Sequence, residues 1–311
     1  MVGRSKQPST RVFDVRTYVD CIPCLVRQAL DSVRLVTDDE TVHEELLRTV
    51  LRAIGDMDLN QSPPTMGQRI HRLIRRLTGQ SDPYQDIKTA HNHLALQIYP
   101  TLKARVDHSS HPLHTAMRLA IAGNVIDMAV NTRLSDRHVH DGIDRALTLP
   151  FEGNLHAFSR TIAKAERILY LADNAGEIVL DRLLIEQMPT DKLTVVVRGA
   201  PVINDATMTD AEAAGITDLV DVIGNGSDAP GTLLDNCSEA FRERFNTADV
   251  IIAKGNGNYE TLSEVDRDIF FALKVKCSVI ARDLGCPVDT LVLKRSAQRP
   301  GAARGNVDPP A

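Results

Sequence analysis

This sequence predicts an α/β fold: a mostly parallel sheet in an α/β/α sandwich, Rossmann-like, with a helical domain in front of it. Three observations carry that expectation. Apolar residues recur at helical spacing through the first half of the chain, with few strand candidates among them. From about Asn154 short runs rich in Val and Ile alternate with helical stretches. Polar residues then cluster directly after several of those runs, at the edge where parallel sheets bind ligands.

Taken in order, residues 1–13 read as a flexible N-terminus and residues 14–150 as the helical domain. Leu25, Ala29 and Val33 mark a first helix, and Val42, Leu46, Val50 and Ile54 a second. Ile70, Leu73, Ile74 and Leu77 mark a third, and a fourth runs from Met117 to Met128. Pro63-Pro64, Ser81-Asp82-Pro83 and the stretch from Ser109 to Pro112 break these runs. Residues 151–295 form the α/β core, with strands expected at 167–172, 193–198, 219–224, 249–253, 278–281 and 290–293. The tail, 296–311, mixes Pro, Gly and charge without apolar periodicity and reads as flexible.

Composition narrows the function. The 311 residues suffice for two domains or one large one with a buried core. A net charge of −5 makes no electrostatic case for nucleic acid, and 4% aromatics without Trp offer no base-stacking platform. Arg69, Arg72, Arg75 and Arg76 fall mostly on one side of a helix and read as a solvated face. No stretch reaches the ~18 apolar residues of a membrane helix. Met1 to Arg11 has no apolar signal core, so a cytoplasmic location is expected. Five Cys in a chain this long do not make a disulfide scaffold. Oligomeric state is not legible.

Four strand-end loops carry the chemistry. Asp173-Asn174-Ala175-Gly176-Glu177 follows an apolar run and opens a helix. Its acid and amide are hard oxygen ligands suited to Mg²⁺ or Mn²⁺, although the same residues serve as ordinary helix N-caps. The second loop runs from Arg198-Gly199 to Asn204-Asp205-Ala206-Thr207 and brings another carboxylate, again with capping as the alternative. The third, from Gly224 to Thr232, is glycine-rich and includes Gly231. It offers backbone N–H donors but lacks the Lys and spacing of a P-loop. The fourth is Lys254-Gly255-Asn256-Gly257-Asn258-Tyr259-Glu260. A Lys directly after a buried strand is costly unless it meets an anion, either a substrate phosphate or a carboxylate such as Asp173 or Asp205. Together the loops suit a divalent cation bridging a phosphoryl group, with Lys254 offsetting charge. Asn124 and Asp127 are three apart in an apolar helical run, where they either line the same cleft or face solvent.

Cys21 and Cys24 form a Cys-x-x-Cys pair with no second such pair to complete a four-Cys site. They read as buried reduced thiols, a redox pair or, with Cys277 or Cys286, a second metal site. The histidines are scattered, without the His-x-x-x-His pair and Glu of a zincin, and read mostly as surface residues.

The whole set resembles the damage-control phosphatases, the acidic residue methyltransferase-like family formerly known as domain of unknown function 89. The resemblance rests on Cys21-Ile22-Pro23-Cys24, Asp82-Pro83-Tyr84, Gly123-Asn124-Val125-Ile126-Asp127, Asp173-Asn174-Ala175-Gly176-Glu177, Arg198-Gly199 through Thr207, Pro230-Gly231-Thr232 and Lys254 to Glu260, in the family's order over about 14–295. It implies a metal-dependent phosphatase acting on small phosphorylated metabolites, sugar phosphates or related damaged metabolites. It implies Asp173, Asn174 and Asp205 as ligands of Mn²⁺, Mg²⁺, Co²⁺ or Ni²⁺, and Lys254 as the family's strand-end Lys. The Cys-x-x-Cys is similar to that of the prokaryotic branch. Asn256 stands where the family more often has Gln and keeps the amide.

On this reading Asp173, Asp205, Lys254, Asn124 and Asp127 carry catalysis, and Glu177, Arg198, Gly199, Gly231, Asn256 and Asn258 bind substrate. Two other readings compete. A methyltransferase using S-adenosylmethionine would hold its ribose with an acid after a strand, yet no Gly-x-Gly precedes Asp173 or Glu177. A non-enzymatic metal or metabolite-binding module would use Cys21 and Cys24.

Overall fold

The computed structural model describes residues 16–123, 144–145 and 147–296. Within them, one sheet holds β1 (Phe151–Gly153), β2 (Ile168–Leu171), β3 (Leu193–Val197), β4 (Asp221–Gly224), β5 (Val250–Lys254), β6 (Ile269–Lys274) and β7 (Leu291–Arg295). Their order is β1-β7-β6-β5-β2-β3-β4, and every pairing is parallel except β6 with β7. From β2 the chain runs to β3 and β4 on one side, then returns to place β5 on the other. The β2–β5 boundary is therefore a topological switch point, where adjacent loops diverge and leave a crevice at the C-terminal edge.

β2 and β5 are buried along their whole length, which is why they read as unbroken apolar runs. Alternate residues serve opposite faces. Ile168 and Tyr170 join one core with Phe158 and Ile162, whereas Leu169 and Leu171 join another with Phe241 and Phe245. Each such side chain contributes roughly 1.5–3 kcal/mol on burial. The first core takes α6 (Leu155–Lys164), α7 (Glu177–Ile185) and α8 (Met208–Ala213). The second takes α9 (Glu239–Thr247), α10 (Gly255–Leu262) and α11 (Ser278–Leu284), completing the expected α/β/α layering.

The strand expectations need correcting at three places. Residues 278–281 are helical, the start of α11. Extended Cys277 precedes that helix and Gly285 ends it, at φ 74° with its N–H on the Ala281 carbonyl. Two strands fall outside the expected set, the short edge strand β1 and the deeply buried apolar run of β6.

The helical half divides. α1 (Ile22–Arg34), α2 (Glu40–Gly55) and α3 (Pro63–Thr78) close around their own core of Leu25, Ala29, Val33, Leu46, Val50 and Ile70. α4 (Gln85–Asp107) and α5 (Pro112–Ala122) pack instead on α7 and belong to the sheet's first core. The solvated-face reading of α3 fails for Arg75, which is half-buried, while Arg72 stays exposed yet shares its partner. Arg72 Nε donates to Asp228 Oδ2 at 2.9 Å, Arg75 pairs with the same carboxylate, and Gln68 Nε2 donates to its Oδ1 at 2.6 Å. This clamp fixes the three-helix unit over the third strand-end loop. Among the described residues no helix is long and apolar enough to cross a membrane.

Candidate functional site

The switch-point crevice is a cavity of about 320 Å³ between the strand ends and the helical unit. Asp173, Asn174 and Asp205 line it from the ends of β2 and β3. A backbone bridge joins Asn174 to Asp205, and the Ala206 N–H donates to the Asp173 carbonyl at 2.8 Å. Sequence-distant loops are thereby locked edge to edge. Ile203, also in the wall, sits at φ 45°, a left-handed conformation that costs a β-branched residue strain. That turn delivers Asn204 and Asp205 to the cavity.

The two carboxylates are buried and crowded. Burial pushes the Asp173 carboxyl well above the usual range, and Glu177 and Asp205 add repulsion that Lys276 and Arg198 only partly offset. Burial also raises Asp205, against the pull of Arg198, whose Nε donates to Oδ2 at 2.6 Å. Asn174 Nδ2 donates to Asp173 Oδ2 at 2.9 Å, leaving oxygen as the amide's donor atom for a ligand. Among the described residues no three His, Cys, Asp or Glu side chains form a metal-binding group. The set here is two carboxylates and one amide. Its all-oxygen chemistry and excess negative charge match a hard divalent cation.

Gly255 makes this crowding feasible. It has φ 78°, and a Cβ there would lie 1.9 Å from Asp173 Oδ2. Only glycine lets α10 begin directly against the Asp173 carboxylate.

Lys254, expected to reach a substrate phosphate, is fully buried and points the other way. Its Nζ donates to Glu177 Oε1 at 2.7 Å, to the Ala120 carbonyl at 3.0 Å and to Asp181 Oδ1. Burial opposes its charge, but Asp181 and Glu177 outweigh that and hold its pKa above the ordinary lysine value. Burial raises the Asp181 carboxyl to about 6, against the pull of Lys254.

Other expected contacts also lie behind the cavity wall. Glu177 belongs to the Lys254 group. Arg198 and Asn258 are buried and joined, Nη1 to Oδ1 at 3.3 Å, and Asn258 Nδ2 donates to the Lys254 carbonyl at 2.8 Å. The Gly199 N–H is already given to Ser227 O and Asn225 Oδ1, both at 2.9 Å. Gly231 packs on Gly257, where a Cβ would meet the carbonyl at 2.6 Å. These residues shape the site and do not line it. Asn256 does line it, with a buried Oδ1 that has no hydrogen-bond partner. Asn124 and Asp127 lie outside the described residues.

The structure adds two lining residues with no role in the sequence reading, Lys276 and Glu260. Lys276, after β6, is the cavity's lysine; it acts electrostatically on Asp173, Asp205 and Glu260. Its signal was Lys274-Val275-Lys276 at the end of the overlooked strand. Glu260 was signalled by its place four residues after Asn256 on one helix face. Cys21 and Cys24 enter the same cavity from the start of α1, facing Cys277, while Cys286 lies elsewhere in the second core. All are free thiols, and burial raises the pKa of Cys21.

Comparison with known proteins shows the family and the fold. The damage-control phosphatase ARMT1-like domain matches residues 17–292. A damage-control phosphatase of Archaeoglobus fulgidus is 34% identical over 88% of this chain and 97% of its own. A damage-control phosphatase of Pyrococcus horikoshii is 32% identical over 91% and 99%. An uncharacterised protein of Methanocaldococcus jannaschii is 36% identical over 90% and 96%. The crystal structure of a DUF89 family protein from P. horikoshii superposes with a TM-score of 0.82 at 32% identity, covering 91% of this chain and 99% of that one.

Proposed function

This chain belongs to the ARMT1-like damage-control phosphatase family, and from that premise we propose that it is a metal-dependent phosphomonoester hydrolase for small phosphorylated metabolites. The observation that carries the metal dependence is the pair of buried carboxylates, Asp173 and Asp205, on loops bridged edge to edge, whose carboxyls stay raised although Arg198 lies 2.6 Å from Asp205 and 4.0 Å from Asp173.

Asp173, Asn174 and Asp205 would hold the cation. Mn²⁺, Mg²⁺, Co²⁺ and Ni²⁺ all suit the donors. When bound, it supplies charge compensation for a phosphoryl group and lowers the pKa of a water ligand. The chain's residues do the rest. Arg198 fixes the Asp205 carboxylate from behind. Lys276 offers a positive charge to the phosphoryl oxygens from the end of β6, parallel to β5 on the same sheet edge, the task expected of Lys254. Asn256 lines the same cavity, where its amide can meet a polar group of the metabolite. The helical unit covers the site and restricts it to small substrates; the cavity is at the lower end of ordinary ligand pockets.

Phosphate release from p-nitrophenyl phosphate and from a panel of phosphorylated metabolites tests the reading, with chelated protein against protein restored with Mn²⁺, Co²⁺ or Ni²⁺. Release should require the metal and vanish in Asp173→Asn. Metal-independent release would refute the metal role. No release under any condition would refute the hydrolase.

A further inference from the structure

Two carboxyls of the cavity have no task yet, Asp20, which is exposed, and Glu260, which is half-buried. Glu260 shares the cavity-lining face of α10 with Asn256 and Gly257, while Tyr259 and Leu262 turn into the second core. Asp173 and Asp205, by contrast, are tied down by Asn174 and Arg198. The groups around Glu260 come from every wall: Asp20 and Cys21 from the start of α1, Asp173 from β2, Asp205 from β3, Lys276 and Cys277 after β6. Lys276 is its electrostatic partner, and Glu260 in turn acts on Cys21. Burial raises its carboxyl to about 7, Lys276 pulling the other way. A carboxyl so raised keeps a share of its proton near neutrality, where an ordinary glutamate has lost it, and it lines the same cavity as Asp173 and Asp205.

Hydrolysis of an alkyl phosphomonoester needs such a proton, because an alkoxide is a poor leaving group. Resting on the phosphatase reading above, we propose that Glu260 is the general acid that protonates the departing alcohol. The Glu260 O–H bond breaks as a new O–H bond forms on the ester oxygen. The P–O bond to that oxygen breaks, and its electron pair stays with the alcohol. Water forms the new P–O bond and releases one proton to solvent, and the Glu260 carboxylate regains one from solvent. The balance is phosphomonoester plus water to alcohol plus inorganic phosphate. Lys276 stabilises the carboxylate left between turnovers.

Leaving-group dependence tests this. With metal-loaded protein, kcat/KM is measured for n-butyl phosphate and for p-nitrophenyl phosphate, whose phenolate departs without a proton. Glu260→Gln should lose about 100-fold or more on the alkyl ester, the range for one general acid, and much less on the aryl ester. Glu260→Asp, which keeps the carboxyl, should recover part of the alkyl rate. Equal losses on both esters would overturn the proposal and mark Glu260 as a positioning residue. An undiminished alkyl rate in Glu260→Gln would overturn it too. Wild-type protein that released phosphate from neither ester would instead bring down the phosphatase reading, and the proposal with it.

Discussion

Two layers of buried charge meet at Glu177, and they are built to opposite ends. Below it, Lys254 is enclosed by Glu177, Asp181 and the Ala120 carbonyl, so the cation's donors are taken up inside the protein. Above it, Asn174 Nδ2 reaches Glu177 Oε2 at 3.4 Å, and Asp173 and Asp205 crowd an open cavity with too little positive charge between them. Burial is nearly equal in the two layers; closure differs. A closed layer serves as a structural joint, and on the metal reading proposed above the open one is where a cation would bind.

The largest effect should come from the open layer. Asp173→Asn should lower metal-dependent turnover by about a thousandfold, as when a principal charge-stabilising group is lost. The metal-free protein should be no less stable, since a repelled buried charge is gone. Wild type at 100 times the metal's dissociation constant should gain about 2.7 kcal/mol of stability, and the variant none. Thermal denaturation with and without Mn²⁺ reads both. A variant that kept the metal-induced gain would dissolve the distinction between the layers.

The closed layer should fail as structure. Lys254→Met leaves Glu177 and Asp181 buried without their cation and should cost about 3–5 kcal/mol, measured by urea denaturation. Adding Asp181→Asn should restore part of it, because the two residues share one network. If Lys254→Met unfolded like wild type while turnover collapsed, Lys254 would be a substrate ligand after all. A smaller effect belongs to Lys276, which is exposed on the cavity rim. Lys276→Met should lower kcat/KM by roughly ten- to a hundredfold, from loss of one charge-assisted contact, with stability within about 0.5 kcal/mol. Unchanged kcat/KM would remove it from the phosphoryl seat.

The contrast also explains what the sequence could and could not disclose. The Val- and Ile-rich runs and the Asp-Asn and Asn-Asp loops after them are local signals, so five strands and the cavity-lining residues Asp173, Asn174 and Asp205 were readable. Side-chain direction is not local. Lys254 closes a strand, but whether its long chain runs into the cavity or back toward α5 depends on Asp181, one helix turn past Glu177, which no motif singled out. β6 was overlooked because Ile269-Phe270-Phe271-Ala272-Leu273 lacks the Val/Ile signature, and Lys276 was overlooked with it. Ser278-Val279-Ile280-Ala281 passed as a strand on its β-branched pair, although Gly285 already signalled a helix end. Cys21 and Cys24 reach the cavity only because α3 is clamped to Asp228, a contact spanning more than half the chain's length.

The smallest effect is a pH dependence of stability that isolates Glu260. Its carboxyl titrates near 4.5 in an unfolded chain and at about 7 in the fold. Between those values the folded protein binds more protons than the unfolded one, so stability falls as pH rises through the window and levels off above it. One proton corresponds to at most about 1.4 kcal/mol per pH unit, reduced here because Glu260 is only half-buried. Asp173, Asp181 and Asp205 add slopes of the same sign, common to wild type and variant. The difference between wild type and Glu260→Gln, measured by urea denaturation from pH 4.5 to 7.5 in chelator, therefore reports Glu260 alone. The variant's curve should be the flatter one. Parallel curves would mean that the carboxyl is already ionised in the fold, placing Glu260 with the paired charges of the closed layer and leaving the departing alcohol without its acid.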